Sequence, residues 1–213
     1  MEAETASDGE LLVRGPLVMK GYRGEPDKTA EAVDRDGWLH TGDVIAIDDD
    51  GYLTVVDRKK DLIINAAGKN MSPAIIENTV KAHSPLIGTM MVVGDGRAYN
   101  TALVVLDHDA ARAFAAQHNL PDSSASALAA DDTLLASIAA AVAAGNAELS
   151  RVEQVKRFRI LPAFWEPGGD ELTLTLKVRR RLVAEKYATE IAELYAQPPS
   201  GAVHEPLRFE LRS

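Results

Sequence analysis

The 213-residue sequence contains no cysteine, which excludes disulfide bonds and cysteine-ligated zinc. Basic residues are in deficit: 23 lysines and arginines stand against 32 aspartates and glutamates, for a net charge of -9. A surface of that charge disfavours nucleic acid and anionic membranes as partners. The lack of cysteine fits a reducing compartment, so we predict a cytoplasmic protein that binds no nucleic acid.

Long apolar runs and processing signals are missing as well. The most apolar run, residues 133–144, is alanine-rich and shorter than the about 20 residues that a bilayer requires. The first ten residues, MEAETASDGE, are too acidic and polar for a secretory signal. The five histidines form no H-E-x-x-H pattern, so no metal site is predicted, and no G-x-S-x-G elbow indicates a serine hydrolase.

Strand and turn patterns dominate the first 60 residues. Two apolar segments flank Asp49-Asp50-Gly51, which is a strong signal for a β-hairpin. A short acidic helix is predicted within 25–36, and residues 1–9 are expected to be disordered. A body of this size buries only about 60% of its surface, so we expect it to be part of something larger.

From Ser72 the pattern changes to helices alternating with strands. Ser72-Pro73 places an N-cap before a proline at the first helical position, which predicts a helix over 72–83. The later predictions are paired antiparallel strands in GTMMVVGDG and TALVVLD, helices over 109–118 and 131–148, a strand in KRFRIL, and one amphipathic helix over 178–196 with Leu182, Ile191, Leu194 and Tyr195 near one face.

These elements predict an α+β fold class. A small β-rich N-terminal segment, residues 1–59, is followed by an α+β domain, residues 60–197, with a hairpin, a small antiparallel-rich sheet and flanking helices. Residues 198–213 form a loose tail in this prediction.

Two residues of the first segment carry chemistry that suits a sugar or phosphate. Asp43 follows Thr41-Gly42, and its carboxylate can accept hydrogen bonds from two vicinal hydroxyls, as ribose is commonly held. The alternative is an ordinary turn aspartate. Arg58 lies in the charged run 57–61 and offers a rigid planar fork for oxygen atoms. The alternative there is a solvated charged turn.

Two loops of the second domain are further candidates. Gly68, in AAGKNMSP, permits positive φ and close approach of a ligand, although plain helix entry also explains it. Lys177, in ELTLTLKVRRR, can reach a neighbouring cleft and stabilise negative charge, although a solvated basic face is the alternative. The basic run 179–181 opposes a helix dipole, which indicates an anionic partner or a packed acidic surface.

The order of six motifs is more specific than any one of them. GELLVRGP, VMKGY, DGWLHTGD, DGYLTVVDRKKDLI, GKNMSPAIIE and LTLTLKVRRR follow one another over about residues 9–197. In this order they resemble the adenylate-forming superfamily of acyl-CoA synthetases, luciferases and peptide-synthetase adenylation domains. The DGWLHTGD and DGYLTVVDRKK pair looks most like long-chain fatty acyl-CoA synthetases, which are AMP-forming fatty acid–CoA ligases.

The resemblance implies a role for each candidate. Asp43 and Arg58 would bind the ribose of ATP and of acyl-AMP, and Lys60 would be the hinge. Lys177 falls at the position of the catalytic lysine of adenylation. The loop of Gly68, Lys69 and Asn70 would face CoA.

The resemblance also implies that the chain is the C-terminal part of such an enzyme. Residues 1–59 would be a remnant of the large domain's β-barrel subdomain, and residues 60–197 the mobile lid domain. The family's Ser/Thr/Gly-rich phosphate loop ending in Pro-Lys has no match here, so the missing N-terminal large domain is an expected partner. The full-length enzyme would use ATP, Mg²⁺, CoA and a long-chain fatty acid, and the resemblance allows peripheral membrane association.

The chain alone is expected to be inactive and to hold none of these ligands. Two other functions are compatible with the motifs, and one residue departs from the family pattern. An adenylation domain that loads a carrier protein would share the motifs, although no Gly-Gly-x-Ser carrier site follows. A non-catalytic binding module with the same fold is the other alternative. Leu174 stands where the family usually has proline, which affects the rigidity of the Lys177 loop.

Overall fold

The computed structural model describes residues 1–207, which divide into a first unit, Met1–Leu62, and a second unit that starts at Ile63. Helices flank largely antiparallel strands in this fold, and the predicted α+β class is confirmed. No helix within residues 1–207 is long and apolar enough to cross a bilayer.

The first unit is a four-stranded antiparallel sheet with one short helix. Its strands follow one another across the sheet in chain order, and a 3-10 turn, Lys59–Asp61, follows the last one. The bounds are β1 Glu2–Thr5, β2 Glu10–Arg14, α1 Pro26–Ala32, β3 Leu39–Ile47 and β4 Leu53–Arg58. The predicted hairpin of β3 and β4 is confirmed. Asp48 closes its turn, because its Oδ1 accepts the Asp50 and Tyr52 N–H groups at 3.0 and 2.8 Å.

The expected disorder of residues 1–9 is wrong for strand β1. Glu2–Thr5 pairs with β2, from Glu2 opposite Arg14 to Thr5 opposite Leu11. All four side chains are exposed, so the strand is held by backbone pairing that its polar composition does not reveal. The sheet of the first unit is open, and within residues 1–207 no barrel closes.

One face of the β3–β4 hairpin is apolar and mostly uncovered. Ile45 lies opposite Val55, and Ile47 lies opposite Leu53, so the four side chains share a face. Ile45 is buried, whereas Val55 is 60% exposed and Ile47 is 55% exposed. The first unit therefore leaves apolar surface in water, as expected for so small a body.

The second unit contains a two-stranded hairpin and a three-stranded sheet with helices. Its bounds are β5 Ile63–Ile64, β6 Asn70–Met71, α2 Pro73–Lys81, β7 Ile87–Val93, β8 Asn100–Leu106, α3 His108–Gln117, α4 Ala125–Leu128, α5 Asp132–Glu148, β9 Val155–Ile160, α6 Arg180–Lys186 and α7 Ala188–Tyr195. The sheet order is β7-β8-β9, with β8 in the centre.

Strand β8 is buried on both faces. Ala102 and Val104 face a core that α2, α3 and α5 complete. Leu103 and Val105 face a second core with α6 and α7. The uninterrupted apolar run of residues 102–106 in β8 follows from this three-layer arrangement, because neither face of the strand meets water.

Helix α2 begins where its sequence predicts and packs closely on α5. The Ser72 Oγ accepts the Ile75 N–H at 3.1 Å, and Pro73 occupies the first turn. Gly145 of α5 lies against Val80 of α2, where a Cβ would come within 2.8 Å of the Val80 Cα. A larger residue at Gly145 would force the two helices apart.

Strand β9 departs from the antiparallel prediction. It pairs in parallel with β8, from Asn100 opposite Val155 to Val104 opposite Ile160. The connection between β8 and β9 runs through three helices. Such a long crossover returns the chain in the same direction, which a hairpin cannot do.

The predicted single C-terminal helix is two helices that meet at Tyr187. The Tyr187 backbone has φ -106° and ψ 29°, outside the helical region. Ile191 and Leu194 are buried as predicted, but Leu182 is exposed and the adjacent Val183 is fully buried. The break at Tyr187 changes the orientation of α6 relative to α7. The prediction that Leu182 lies on the buried face, which assumed one continuous helix, is therefore wrong.

The expectation of a loose tail over 198–213 is wrong for the residues around His204. The backbones of Phe158 and His204 exchange two hydrogen bonds of 2.9 Å, which attach this segment to β9. The last six residues, 208–213, lie outside the described part of the chain.

A partly buried ion pair joins α2 to α6, and its removal should destabilise the second unit. Arg180 Nη2 lies 2.8 and 2.6 Å from the two Glu77 oxygens, and Glu77 Oε1 also accepts the Val92 N–H at 2.8 Å. We expect Glu77→Gln to cost about 2 kcal/mol, because a charged hydrogen-bonding group is left without its partner.

The control is Glu185→Gln. Glu185 pairs with Arg181 at 2.9 Å on the surface, and such a pair contributes about 0.5 kcal/mol or less. Urea denaturation measures both variants, and equal losses of free energy would contradict the structural role of Glu77.

Candidate functional site

The structure brings Asp43 and Arg58 together. The two residues lie opposite each other on β3 and β4, and Arg58 Nε is 2.8 Å from Asp43 Oδ1. Arg58 is exposed and Asp43 is partly exposed, so both polar groups remain accessible to a ligand. One carboxylate and one guanidinium thus form a joint acceptor and donor at the end of the hairpin.

A bulge in β3 sets the direction of Asp43. Glu10 is opposite Val44 and Leu12 is opposite His40, so β3 has two more residues than β2 between these pairs. The extra segment is held locally, because the Thr41 hydroxyl donates to Leu11 O at 2.7 Å and accepts the Asp43 N–H at 3.1 Å. Bulges commonly redirect a side chain at a functional site.

Glu10 is a residue of this site that sequence reasoning missed. It is 3% exposed, and its carboxylate contacts Gly42 N–H, Lys59 and His40. Burial raises the pKa of Glu10, but these hydrogen bonds outweigh it and hold the pKa below its usual value. Its partners lie 30 or more residues away, so only its position at the start of the GELLVRGP motif could have indicated a role.

Lys60 lies in the 3-10 turn that ends the first unit. Gly42, Arg58, Lys59 and Lys60 line an open groove of about 320 Å³. The residues on either side of the turn, Arg58 and Leu62, have extended backbones, and the second unit starts at Ile63. The location at a unit boundary suits a hinge, and the hinge role of Lys60 stays a prediction.

Gly68, Lys69 and Asn70 lie in the turn between β5 and β6. Gly68 has φ +75° and is exposed, with no atom within 4 Å of the position of a Cβ. The Asn65 Oδ1 accepts the N–H groups of Ala67 and Lys69 at 3.0 and 2.9 Å, which fixes the turn. The loop presents open backbone to solvent, and its role toward CoA stays a prediction.

Lys177 ends a tight and exposed loop. Its N–H donates to the Thr173 Oγ1 at 3.1 Å, and its carbonyl accepts the Thr173 N–H at 2.9 Å. Leu176 has φ +62°, a left-handed conformation that is unfavourable for leucine. Leu174 and Leu176 are 83% and 63% exposed, so the lysine is flanked by apolar side chains in water. A strained, fixed backbone with exposed apolar residues is typical of a functional loop.

The base of this loop is anchored by a buried carboxylate. Glu171 accepts from Lys186 at 2.7 Å and from the Tyr187 hydroxyl at 3.1 Å, and its carbonyl accepts the Arg179 N–H at 2.8 Å. Burial raises the pKa of Glu171, but the bonds from Lys186 and Tyr187 bring the pKa below its usual value. Leu172 pairs with Val178 across the neck of the loop.

The basic run 179–181 is largely matched by acidic side chains. Arg180 pairs with Glu77, and Arg181 pairs with Glu185. The packed acidic surface, one of the two explanations predicted from the helix dipole, therefore accounts for Arg180. No group of three His, Cys, Asp or Glu side chains within residues 1–207 could hold a metal ion.

Comparisons with known proteins decide the family. Residues 60–198 match the model of the AMP-binding enzyme C-terminal domain. The chain belongs to this family. The resemblance to adenylate-forming enzymes, which its motifs indicate, is thereby confirmed.

Named relatives of this family member are fatty-acid–CoA ligases. The chain is 66% identical over 206 residues to a Mycobacterium tuberculosis protein named fatty-acid–CoA ligase fadD11, across 97% of this chain and 36% of that protein. It is 45% identical over 192 residues to the long-chain-fatty-acid–CoA ligase FadD15 of Mycobacterium tuberculosis, across 89% of this chain and 32% of that protein. The chain spans about a third of the length of the curated relatives it matches.

A solved structure shares the fold. The adenylation domain of a carboxylic acid reductase from Segniliparus rugosus, in complex with AMP and a co-purified carboxylic acid, has a TM-score of 0.68 at 26% identity. The match covers 89% of this chain and 28% of that one. The fold of this family member is therefore that of an adenylate-forming enzyme's C-terminal region.

Proline should be accepted at position 174 and rejected at position 176. Leu174 has a negative φ, and within residues 1–207 its N–H donates no hydrogen bond. We expect Leu174→Pro to stabilise the second unit by about 0.5 kcal/mol through loss of freedom in the unfolded chain.

Leu176→Pro is the matched comparison. It removes an N–H that donates to Thr173 O at 3.0 Å and requires negative φ where the backbone has +62°, so we expect a loss of more than about 1 kcal/mol. Thermal denaturation measures both, and a loss at Leu174→Pro would show that its backbone does not fit proline.

Glu171 should make stability depend on pH under acid conditions. Its pKa is lower in the folded chain than its ordinary value of 4.5, so its contribution is present above about pH 4.5 and is lost as pH falls through the folded-state pKa. Glu171→Gln should therefore flatten the decline of unfolding free energy below pH 4.5. Glu166→Gln, an exposed carboxylate on the same segment, is the control, and equal pH profiles for wild type and Glu171→Gln would refute the effect.

Proposed function

We propose that this chain acts as the C-terminal part of an AMP-forming long-chain fatty-acid–CoA ligase. The observation that carries the proposal is 66% identity over 97% of the chain to a protein named as a fatty-acid–CoA ligase, together with 45% identity to one named as a long-chain-fatty-acid–CoA ligase. The accessible pairing of Asp43 with Arg58 and the exposed Lys177 loop supply suitable chemistry. The uncovered apolar face of β3 and β4 suits a first unit that packs on a missing N-terminal large domain.

In the proposed first half-reaction, a fatty carboxylate attacks the α-phosphate of ATP, which forms acyl-AMP and releases pyrophosphate. Two anions meet in this step, so a cation between them lowers the barrier. Lys177 would contact both groups. Asp43 would accept hydrogen bonds from the two ribose hydroxyls and Arg58 would donate to the ribose oxygens, which fixes the nucleotide for the attack.

In the proposed second half-reaction, the thiol of CoA attacks the acyl-AMP and releases AMP. Lys177 is not needed here, and the lid domain, residues 60–197, would rotate about Lys60 to present the loop of Gly68, Lys69 and Asn70 to CoA. The open backbone at Gly68 suits close approach of an extended ligand.

The ligands of the proposal belong to the whole ligase. ATP and Mg²⁺ would enter together, and Asp43 and Arg58 would contact the ribose. The described residues include no cluster of metal ligands, so in this proposal ATP and the large domain would hold the metal. The acyl pocket also lies in that domain. We further propose a cytoplasmic location, on the lack of cysteine in the chain.

Lys177→Ala in the longer ligase should abolish the first half-reaction selectively. We expect acyl-AMP formation to fall by about 10²–10³-fold, since one oriented charge is lost. Conversion of supplied acyl-AMP to acyl-CoA should keep its rate. Pyrophosphate exchange and thioester formation measure the two halves.

The control for this change is Arg181→Ala, which removes a nearby exposed cation that pairs with Glu185. It should leave both half-reactions intact. Equal losses of both halves in Lys177→Ala would refute the assigned role of the lysine.

Lys60→Pro should hold the ligase in one conformation. Proline fixes φ at the proposed pivot, so one half-reaction should slow by at least about 10-fold while the other continues. Lys20→Pro is the control, because Lys20 lies in an irregular, exposed segment of the first unit. Wild-type rates of both halves in Lys60→Pro would show that the pivot lies elsewhere.

The choice of acceptor distinguishes the proposal from a carrier-loading adenylation domain. The relatives named as CoA ligases are 66% and 45% identical, compared with 26% for the carboxylic acid reductase domain. Acyl transfer to free CoA by the longer ligase supports the proposal. Transfer to a carrier protein only would support the alternative.

A further inference from the structure

Glu10 contacts the chain neighbours of Asp43 and Arg58, although it contacts neither of their side chains. The two oxygens of the buried Glu10 carboxylate contact two different elements, β3 and the 3-10 turn that follows β4. Oε1 accepts the Gly42 N–H at 2.8 Å, and Oε2 is 3.0 Å from the Lys59 Nζ. Gly42 precedes Asp43 and Lys59 follows Arg58, so one carboxylate holds the neighbours of both residues.

The bulge in β3 explains why the Gly42 N–H needs a side-chain acceptor. Bulged residues lose their regular partners on the adjacent strand. Gly42 has φ +71° within the bulge, and its N–H is matched by Glu10 Oε1 in place of a β2 carbonyl. A partly buried N–H without a partner is costly, so we expect the bulge to need the Glu10 carboxylate.

Lys59 is held from two sides. Its Nζ lies 2.6 Å from Asp8 Oδ2 and 3.0 Å from Glu10 Oε2, and these hydrogen bonds raise the pKa of Lys59. His40 Nδ1, 3.3 Å from the same Glu10 oxygen, completes the contacts of the carboxylate. The Lys60 side chain, in contrast, forms no ion pair with any residue of the range 1–207.

We propose that Glu10 is a positioning residue of the nucleotide site. Its carboxylate sets the separation of Asp43 from Arg58 and fixes Lys59 as the last anchored residue before the hinge. This inference rests on the proposed function, because it assigns Glu10 to the same ribose site. Glu10 acts through Gly42 and Lys59.

The kinetic test compares Glu10→Gln with Glu10→Ala in the longer ligase. Glutamine keeps an acceptor for Gly42 but loses the charge that holds Lys59, whereas alanine loses both. We expect the KM for ATP in adenylation to rise about 10-fold in Glu10→Gln and about 100-fold in Glu10→Ala. The KM for the fatty acid should stay at the wild-type value, because its pocket lies elsewhere.

The matched control is Ile45→Ala. It removes a buried side chain of the same sheet that makes none of these polar contacts, so it should lower the melting temperature without raising the KM for ATP. If Glu10→Ala and Ile45→Ala, compared at similar losses of stability, have the same KM for ATP, Glu10 is only structural and the inference is overturned.

A measurement on the 213-residue chain itself separates this inference from the proposed function. Amide hydrogen exchange of Gly42 should be at least about 10-fold faster in Glu10→Ala and close to wild type in Glu10→Gln. Equal exchange in wild type and Glu10→Ala would overturn the positioning role even in an active ligase. A wild-type ligase that forms no acyl-AMP would overturn the proposed function, while the exchange result would still decide whether Glu10 holds the bulge.

Discussion

A carboxylate that is buried in protein must be matched by donors, and this constraint governs the candidate loops of both units. Glu10 is matched by Gly42 N–H and Lys59, which fixes the bulge before Asp43. Glu171 is matched by Lys186 and Tyr187 at the base of the Lys177 loop. In each case a buried acidic side chain binds groups close in the chain to an exposed candidate residue. Buried charge thus gives order to backbone that regular strand pairing does not hold.

Local signals in the sequence were sufficient for much of the fold. The Asp-Gly hairpin and the Ser72-Pro73 helix start are specified by residues next to each other, and both occur as predicted. The parallel pairing of β9 and the attachment of His204 depend on partners far along the chain, and the polar, exposed strand β1 has no apolar pattern that would reveal its pairing with the adjacent β2. Composition and periodicity do not show which segments pair with each other, so these three features were missed or predicted wrongly.

The candidate site shows the same division. Order and spacing of the motifs identify Asp43 and Arg58, and the structure places them 2.8 Å apart. The fold is needed to explain the charged run 57–61, because adjacent residues within it form ion pairs with different partners. Arg58 pairs with Asp43, and Lys59 pairs with Asp8 and Glu10. Two adjacent basic residues therefore have different roles in this interpretation: Arg58 is a candidate to bind the ligand, and Lys59 is a structural anchor.

The ion pair between Glu77 and Arg180 has a consequence for how the proposed ligase would change state. Helix α2 starts three residues after Asn70, and helix α6 starts three residues after Lys177. The pair ties these two helices together across 103 residues of sequence. The ion pair thereby couples the loop proposed for CoA rigidly to the lysine proposed for adenylation. Because the two loops would move as one rigid body, neither could change position without the other. The rigidity of the second unit would therefore keep the two half-reactions from occurring at the same time.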